Sequence, residues 1–278
     1  MRPGFLSGAY LLLIGCMINK ITTRKNPLVK ERAQLNNSSA ERSRQGCYIA
    51  EGARLTEDAA RSGVRIKELY YTEAAYKKYK KYIDTAANVS DNIYVVEEHV
   101  ADLLSSTKSS QGVFAVCETG HNLNTGKLTG RVLTLENIQD PLNMGTILRT
   151  AEALGIGEIL LVGECCDILS PKVLRASMGA VFRIKFVHAK GANEARELLN
   201  KHEYKLLGAV PLSTASRITD IEFNEKISVA IGNEGNGLTE EMKSLCDDLV
   251  TIPMKGRAES LNAATSASII MWEMTKGD

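Results

Sequence analysis

The sequence predicts an α/β fold in two pieces, a smaller α/β domain followed by a larger one built on a mostly parallel sheet. Three observations carry this. Short apolar runs alternate with helix-length amphipathic segments along most of the chain. A polar Gly/Asn-rich stretch, Thr119-Gly-His-Asn-Leu-Asn-Thr-Gly-Lys-Leu-Thr-Gly130, interrupts the alternation once. The chain has 278 residues, 44% hydrophobic and 24% charged, enough for two domains with buried cores.

In the first piece, residues 26–45 read as one helix, begun by Asn26-Pro27 and stopped by Gly46. Strands follow at Cys47–Ala50, Ile66–Tyr71, Ile93–Val96 and Val113–Cys117, with helices at Ala53–Ser62, Tyr76–Ile83 and Glu97–Leu104 between them. In the second piece, strands fall at Arg131–Glu136, Ile159–Val162, Phe182–Val187, Lys205–Val210, Ile227–Ile231 and Leu249–Ile252. Helices fall at Met144–Leu154, Pro171–Met178, Asn193–Lys201 and Leu261–Met274. The boundaries drawn are 17–118, a linker at 119–130, and 131–278.

Net charge is +1, but its distribution is uneven. Residues 17–82 hold 15 Lys+Arg against 7 Asp+Glu; residues 83–278 hold 18 against 26. A basic front half is the asymmetry of a chain that holds a polyanion with one part. The segment Tyr70–Tyr82 interleaves tyrosines with four lysines. It fits a stacking-plus-phosphate surface, although an amphipathic helix packing Tyr76, Tyr79 and Ile83 inward is the plainer reading. Six cysteines without a CxxC pair point to reduced thiols and a cytoplasmic protein, and no zinc spacing is present, so no metal is expected. The apolar run Phe5–Ile18 after Arg2 is short for a membrane span, and residues 1–16 read as an upstream extension before a natural start at Met17.

Three loops concentrate the chemistry, each just past a strand, where open α/β sheets bind ligands. In the first, Asn143 is placed to cap a helix, Gly145 permits close approach of a backbone or ligand, and Arg149 projects from the same region. The second, Ile231-Gly-Asn-Glu-Gly-Asn-Gly-Leu238, exposes backbone groups around Glu234. It is neither a phosphate loop, which needs a Lys, nor GxGxxG, so it suits an adenosine better than a triphosphate. The third runs from Ile252 to Asn262, with Ser260 as the expected cap of the last helix. A dinucleotide oxidoreductase lacks its fingerprint here, and a serine hydrolase on Ser260 lacks GxSxG and a His partner.

In register, the motifs Asn143-x-Gly145-x-x-x-Arg149, Gly232-x-Glu234-x-x-Gly237-Leu238 and Ile252-Pro253-Met254-x-Gly256-x-x-x-Ser260-Leu261-Asn262 resemble those of the SpoU (TrmH) family of RNA ribose 2′-O-methyltransferases. The front half resembles the substrate-binding domain of that family, through Glu51-Gly52 and Thr107…Gln111-Gly112, and the stretch from Met17 resembles its amino terminus.

The resemblance implies a trefoil-knotted, Rossmann-like parallel sheet of SPOUT type behind a smaller RNA-binding α/β domain. It also implies a homodimer formed through the knotted domain, and S-adenosylmethionine as cofactor. The cofactor would lie against Val210, Ile231, Gly232, Gly237, Ile252, Met254, Leu261 and Asn262. Arg149 would act in catalysis, as base or as phosphate clamp, with Asn143, Glu234, Ser260 and Asn262 orienting it or the ribose. Ribosomal RNA of the large subunit is the preferred substrate. Transfer RNA, or a non-catalytic RNA-binding protein of the same fold, is the alternative.

Overall fold

The computed structural model describes residues 18–122 and 127–277. The expectations for residues 1–16 and Met17, and the linker residues 123–126, lie outside the described residues. The chain forms two compact units, the first ending at His121 and the second beginning at Asn122.

The first unit holds β1 (Ile18–Ile21), α1 (Pro27–Ala33), α2 (Ser39–Gln45), β2 (Cys47–Glu51), α3 (Ala53–Arg61), β3 (Ile66–Tyr71), α4 (Glu73–Ala87), β4 (Ser90–Val96), α5 (Glu98–Leu104) and β5 (Val113–Glu118). Its sheet order is β1-β4-β3-β5-β2. β1 and β3 pair with β4 in parallel, while β5 runs antiparallel to β2 and β3. One expectation needs correction. The single helix over 26–45 is broken into α1, a 3₁₀ turn at Gln34–Asn36 and α2. The break has a local cause, because Ser38 caps α2 afresh by accepting from the Glu41 amide at 3.1 Å. Ile18–Ile21 is a strand that its polar neighbours hid.

Helix α4 buries Ile83 completely, and Tyr76 is half-buried, stacked on Tyr71 at 5.4 Å with its hydroxyl donating to Asp84. The inward-packing reading therefore holds for these two. Tyr79, also half-buried, sits at a kink with φ −120° and ψ 25°.

The second unit holds β6 (Val132–Glu136), α6 (Pro141–Ala153), β7 (Glu158–Val162), α7 (Pro171–Ser177), β8 (Lys185–Ala189), α8 (Ala192–Lys201), β9 (Lys205–Ala209), β10 (Ser216–Arg217), β11 (Ile227–Ile231), α9 (Glu240–Leu245), β12 (Asp248–Thr251) and α10 (Ala263–Thr275). All seven strands are parallel, in the order β10-β12-β9-β11-β6-β7-β8. β6, β7 and β11 are buried at every residue, as continuous apolar runs covered on both faces must be. The strand expected at Phe182–Val187 begins only at Lys185, because Ala180–Phe182 forms a 3₁₀ turn first.

The path through this sheet brings the late loops back to the early one. β11 inserts between β6 and β9, β12 crosses to the far side of β9, and α10 returns to pack on α6. Knots are rare exceptions to chain topology, and the trefoil knot implied by the resemblance is compatible with this strand order.

Candidate active site

Neighbouring strands β6, β11, β9 and β12 end side by side, and their exits supply the site. Ala230 is level with Thr134 of β6 and Gly208 of β9, and Val250 is level with Ala209. Ile231-Gly232, Val210 and Ile252 therefore sit on adjacent strands at one carboxyl edge. Ile231 and Val210 are buried, Ile252 is half-buried, and Met254 and Leu261 expose 37% and 36% of their surface.

One hydrogen-bonded network ties three of these exits together. Glu234 accepts from the amides of Asp140 at 3.0 Å and Gln139 at 3.2 Å, and from Asn143 Nδ2 at 3.1 Å. Asn262 Nδ2 donates to Asn143 Oδ1 at 3.0 Å. The loops after β6, β11 and β12 are thus joined through Asn143, Glu234 and Asn262, residues up to 119 positions apart. Burial opposes ionisation of Glu234, but the bonds from Asn143 and the backbone outweigh it and hold its carboxyl below the usual carboxylate range.

The helix caps differ from the sequence expectation. Asp140, not Asn143, caps α6, accepting from the amides of Leu142 and Asn143, with Pro141 at the first helical position. Asn143 lies inside the first turn, which frees its side chain for Glu234. Asn262, not Ser260, caps α10, accepting from Ala264 N at 2.9 Å and Thr265 N at 3.2 Å. The helix accordingly starts at Ala263 rather than Leu261. Ser260 is exposed and makes no hydrogen bond among the described residues.

Two glycines have packing reasons. A Cβ on Gly145 would collide with Ala176, so its close neighbour is α7 and not a ligand. A Cβ on Gly232 would enter the backbone of Gly237 and Leu238. That turn is closed by paired backbone bonds between Asn233 and Gly237, at 3.0 and 2.9 Å.

Arg149 is not part of the network. It is exposed and makes no ion pair or hydrogen bond among the described residues. It lines an open groove of about 640 Å³ between α6 and α10, with Thr146, Thr150, Ser268, Ile269 and Trp272 among the walls.

Sequence reasoning missed several supporting residues. Asn137, at φ +54°, turns the chain after β6; its Oδ1 accepts from Glu164 N at 2.8 Å, and its carbonyl accepts from Asn233 Nδ2 at 2.9 Å. Buried Glu136 accepts from both the amide and the hydroxyl of Thr239. Asparagine directly after a strand signals a left-handed turn. The Glu136–Thr239 bond spans 103 residues and leaves no local signal. Cys165 and Cys166 lie close by, but burial pushes both thiols up, Cys166 to about 12, and the charge of Glu234 adds to this. Neither is a thiolate nucleophile at neutral pH.

The SpoU rRNA Methylase family matches residues 130–272, and the MRM3-like substrate binding domain matches residues 26–115. The chain belongs to the SpoU rRNA methylase family. It is 32% identical to an uncharacterized tRNA/rRNA methyltransferase of Synechocystis, over 92% of this chain and 93% of the relative. It is 28% identical to the 23S rRNA (guanosine(2553)-2′-O)-methyltransferase of Bacillus subtilis, over 92% and 99%. The fold matches that of an AdoMet-bound rRNA methyltransferase from Sinorhizobium meliloti with a TM-score of 0.83 and 27% identity, covering 94% of this chain and 98% of the other. The α/β architecture is the one the motifs implied, a SPOUT-type parallel sheet behind a separate amino-terminal domain.

Proposed function

We propose that the protein transfers a methyl group from S-adenosylmethionine to a ribose 2′-hydroxyl of large-subunit ribosomal RNA. The observation that carries this is the joining of three strand exits by Asn143, Glu234 and Asn262 beside an arginine left without a partner. The Bacillus subtilis relative, named for 23S rRNA, spans both units, and this favours ribosomal RNA over transfer RNA.

The residues present fit the cofactor. Met254 and Leu261 expose apolar side chains on an otherwise polar loop, a surface suited to a flat purine face. No residue from 253 to 261 makes a backbone–backbone hydrogen bond among the described residues, so that loop keeps donors and acceptors for an adenine edge. We assign Val210, Ile231, Gly232, Gly237, Ile252, Met254, Leu261 and Asn262 to holding it. When bound, S-adenosylmethionine supplies an electrophilic methyl group on a sulfonium.

The chain's own task is to align the ribose oxygen and accommodate the loss of its proton. A guanidinium holds its proton to above about pH 12 and presents a fork matched to phosphate. We therefore assign Arg149 to clamping an RNA phosphate next to the reacting ribose, with that phosphate or water accepting the proton. Glu234 and Asn143 brace the start of α6, the helix that carries Arg149, and Ser260 faces solvent with a hydroxyl available to RNA.

Residues 17–118 form the RNA-substrate domain in this reading, and residues 131–278 the catalytic domain. A second copy of the chain packs on Trp272 of α10, which exposes 59% of its surface, giving a homodimer that leaves Arg149 to the RNA. No helix among the described residues is long and apolar enough to cross a membrane. We place the protein in the cytoplasm with its ribosomal substrate. Incubation with methyl-labelled S-adenosylmethionine and a large-subunit RNA transcript, followed by digestion to nucleosides, tests the reaction. Label recovered in a 2′-O-methylnucleoside supports it, and label confined to a base refutes it.

A further inference from the structure

Part of the positive charge of the first unit is already used within it. Arg32 forms a bidentate bond with Glu68, Arg61 pairs with Glu57, Arg65 with Asp91, Lys67 with Glu118, and Lys20 with Glu97 and Glu73. The asymmetry read from the sequence therefore overstates the charge available to a partner. What matters is where unpaired cations remain and whether the backbone beneath them is fixed.

Arg24 and Lys25 are exposed before the Asn26 cap of α1, but a different place is clamped from two sides. β2 ends at Glu51, and the antiparallel β5 begins beside it, with Glu51 level with Phe114. The loop before β5, Ser105–Gly112, folds over that end. Glu51 grips it, accepting from the hydroxyls of Ser105 and Ser106 at 2.6 Å, from Thr107 Oγ1 at 2.8 Å and from Ser106 N at 2.9 Å. These bonds hold the Glu51 carboxyl below the usual range against the effect of burial. From the other side, Gln111 Oε1 accepts the first amide of α3, Ala53 N, at 2.9 Å. The loop and the start of α3 are thereby locked together. Arg54 and Lys108 project from the two locked segments, exposed and without any partner among the described residues. Glu51, beneath them, is occupied by its bonds to Ser105, Ser106 and Thr107.

We propose that this corner, with Arg54 and Lys108 over the Glu51–Gln111 clamp, is the surface by which the first unit grips the RNA backbone. The proposal rests on the RNA-methyltransferase reading and names the surface that reading leaves open. Two unpaired cations on fixed backbone suit a phosphodiester chain, because the loop beneath them needs no further ordering to make the contact. The exposed hydroxyl of Ser109, next to Lys108, offers a further donor to phosphate or sugar. Lys77, Lys78 and Lys81 on α4 are equally exposed. They stand on one solvated helix face, and no loop is fixed beside them.

The test uses the full chain and an in vitro transcript of large-subunit ribosomal RNA, with affinity measured over a range of salt. The Arg54→Gln/Lys108→Gln variant is expected to bind at least about tenfold more weakly near physiological salt, and the slope of log affinity against log salt should flatten by about 1.5. The Lys77→Gln/Lys78→Gln/Lys81→Gln variant serves as the charge control and should lose less affinity despite losing more charge. Unchanged thermal melting of both variants shows that they fold. If the double variant keeps wild-type affinity and slope, or if the α4 variant loses as much, the proposed surface is wrong while the RNA reading stands. A wild-type chain with no salt-dependent RNA affinity overturns the RNA reading and the surface with it.

Discussion

At the scale of single residues, the site divides into a braced part and a free part. Glu234 collects donors from the start of α6, and Asn262 reaches Asn143 from the start of α10. Arg149 is left out of this bracing, in keeping with the role proposed for it. Arg149→Ala should lower methyl transfer about a hundredfold or more in single-turnover assays while S-adenosylmethionine still binds. Retained turnover would remove Arg149 from the mechanism. Glu234 makes a pH-dependent contribution with a definite sign. Its carboxyl titrates below the ordinary 4.5 in the folded chain, so its stabilisation is complete above that pH and is lost as the pH falls through the lower folded value. The difference in melting temperature between wild type and Glu234→Gln should therefore be largest near neutrality and vanish in acid. A difference that grows on acidification would show that the carboxylate does not hold the loops.

At the scale of elements, helix caps explain what was legible and what was not. Arg149, Glu234 and Asn262 were readable as candidates because each stands at a fixed offset from a glycine or a strand end. The caps were misread by a few positions. Asp140-Pro141 carries both a cap and a first-turn proline, and Asn262 is as good a cap as Ser260, so local chemistry alone did not choose between neighbours. The bonds of Asn137 to Asn233 and of Glu136 to Thr239 join segments about a hundred residues apart and have no periodicity to betray them. Gly145 illustrates the same limit, since its tight neighbour is Ala176 on α7. Ala176 C and Ser177 N would lie only 3.0 Å from an added Cβ, in addition to the clash with the Ala176 methyl. Gly145→Ala should cost about 1–3 kcal/mol and lower the urea midpoint. An unchanged midpoint would mean that α7 can move away freely.

At the scale of the whole molecule, the alternation of strand and helix gave the α/β class, because buried parallel strands must be continuous apolar runs. It did not give the strand order, which depends on β11 and β12 returning past β9. That return path places three distant loops in one network, and only the motif resemblance pointed to it. The exposed Trp272 on α10 predicts that the active form is a dimer. Trp272→Glu should shift sedimentation toward monomer and lower activity with it; an unchanged dimer would place the contact elsewhere. The central claim is ribose methylation of large-subunit ribosomal RNA, and it is tested most directly by mapping 2′-O-methyl groups in RNA from cells with and without the gene. One ribosomal 2′-O-methyl group should disappear with the gene, return with the wild-type chain and fail to return with Arg149→Ala. An unchanged ribosomal map would contradict the account.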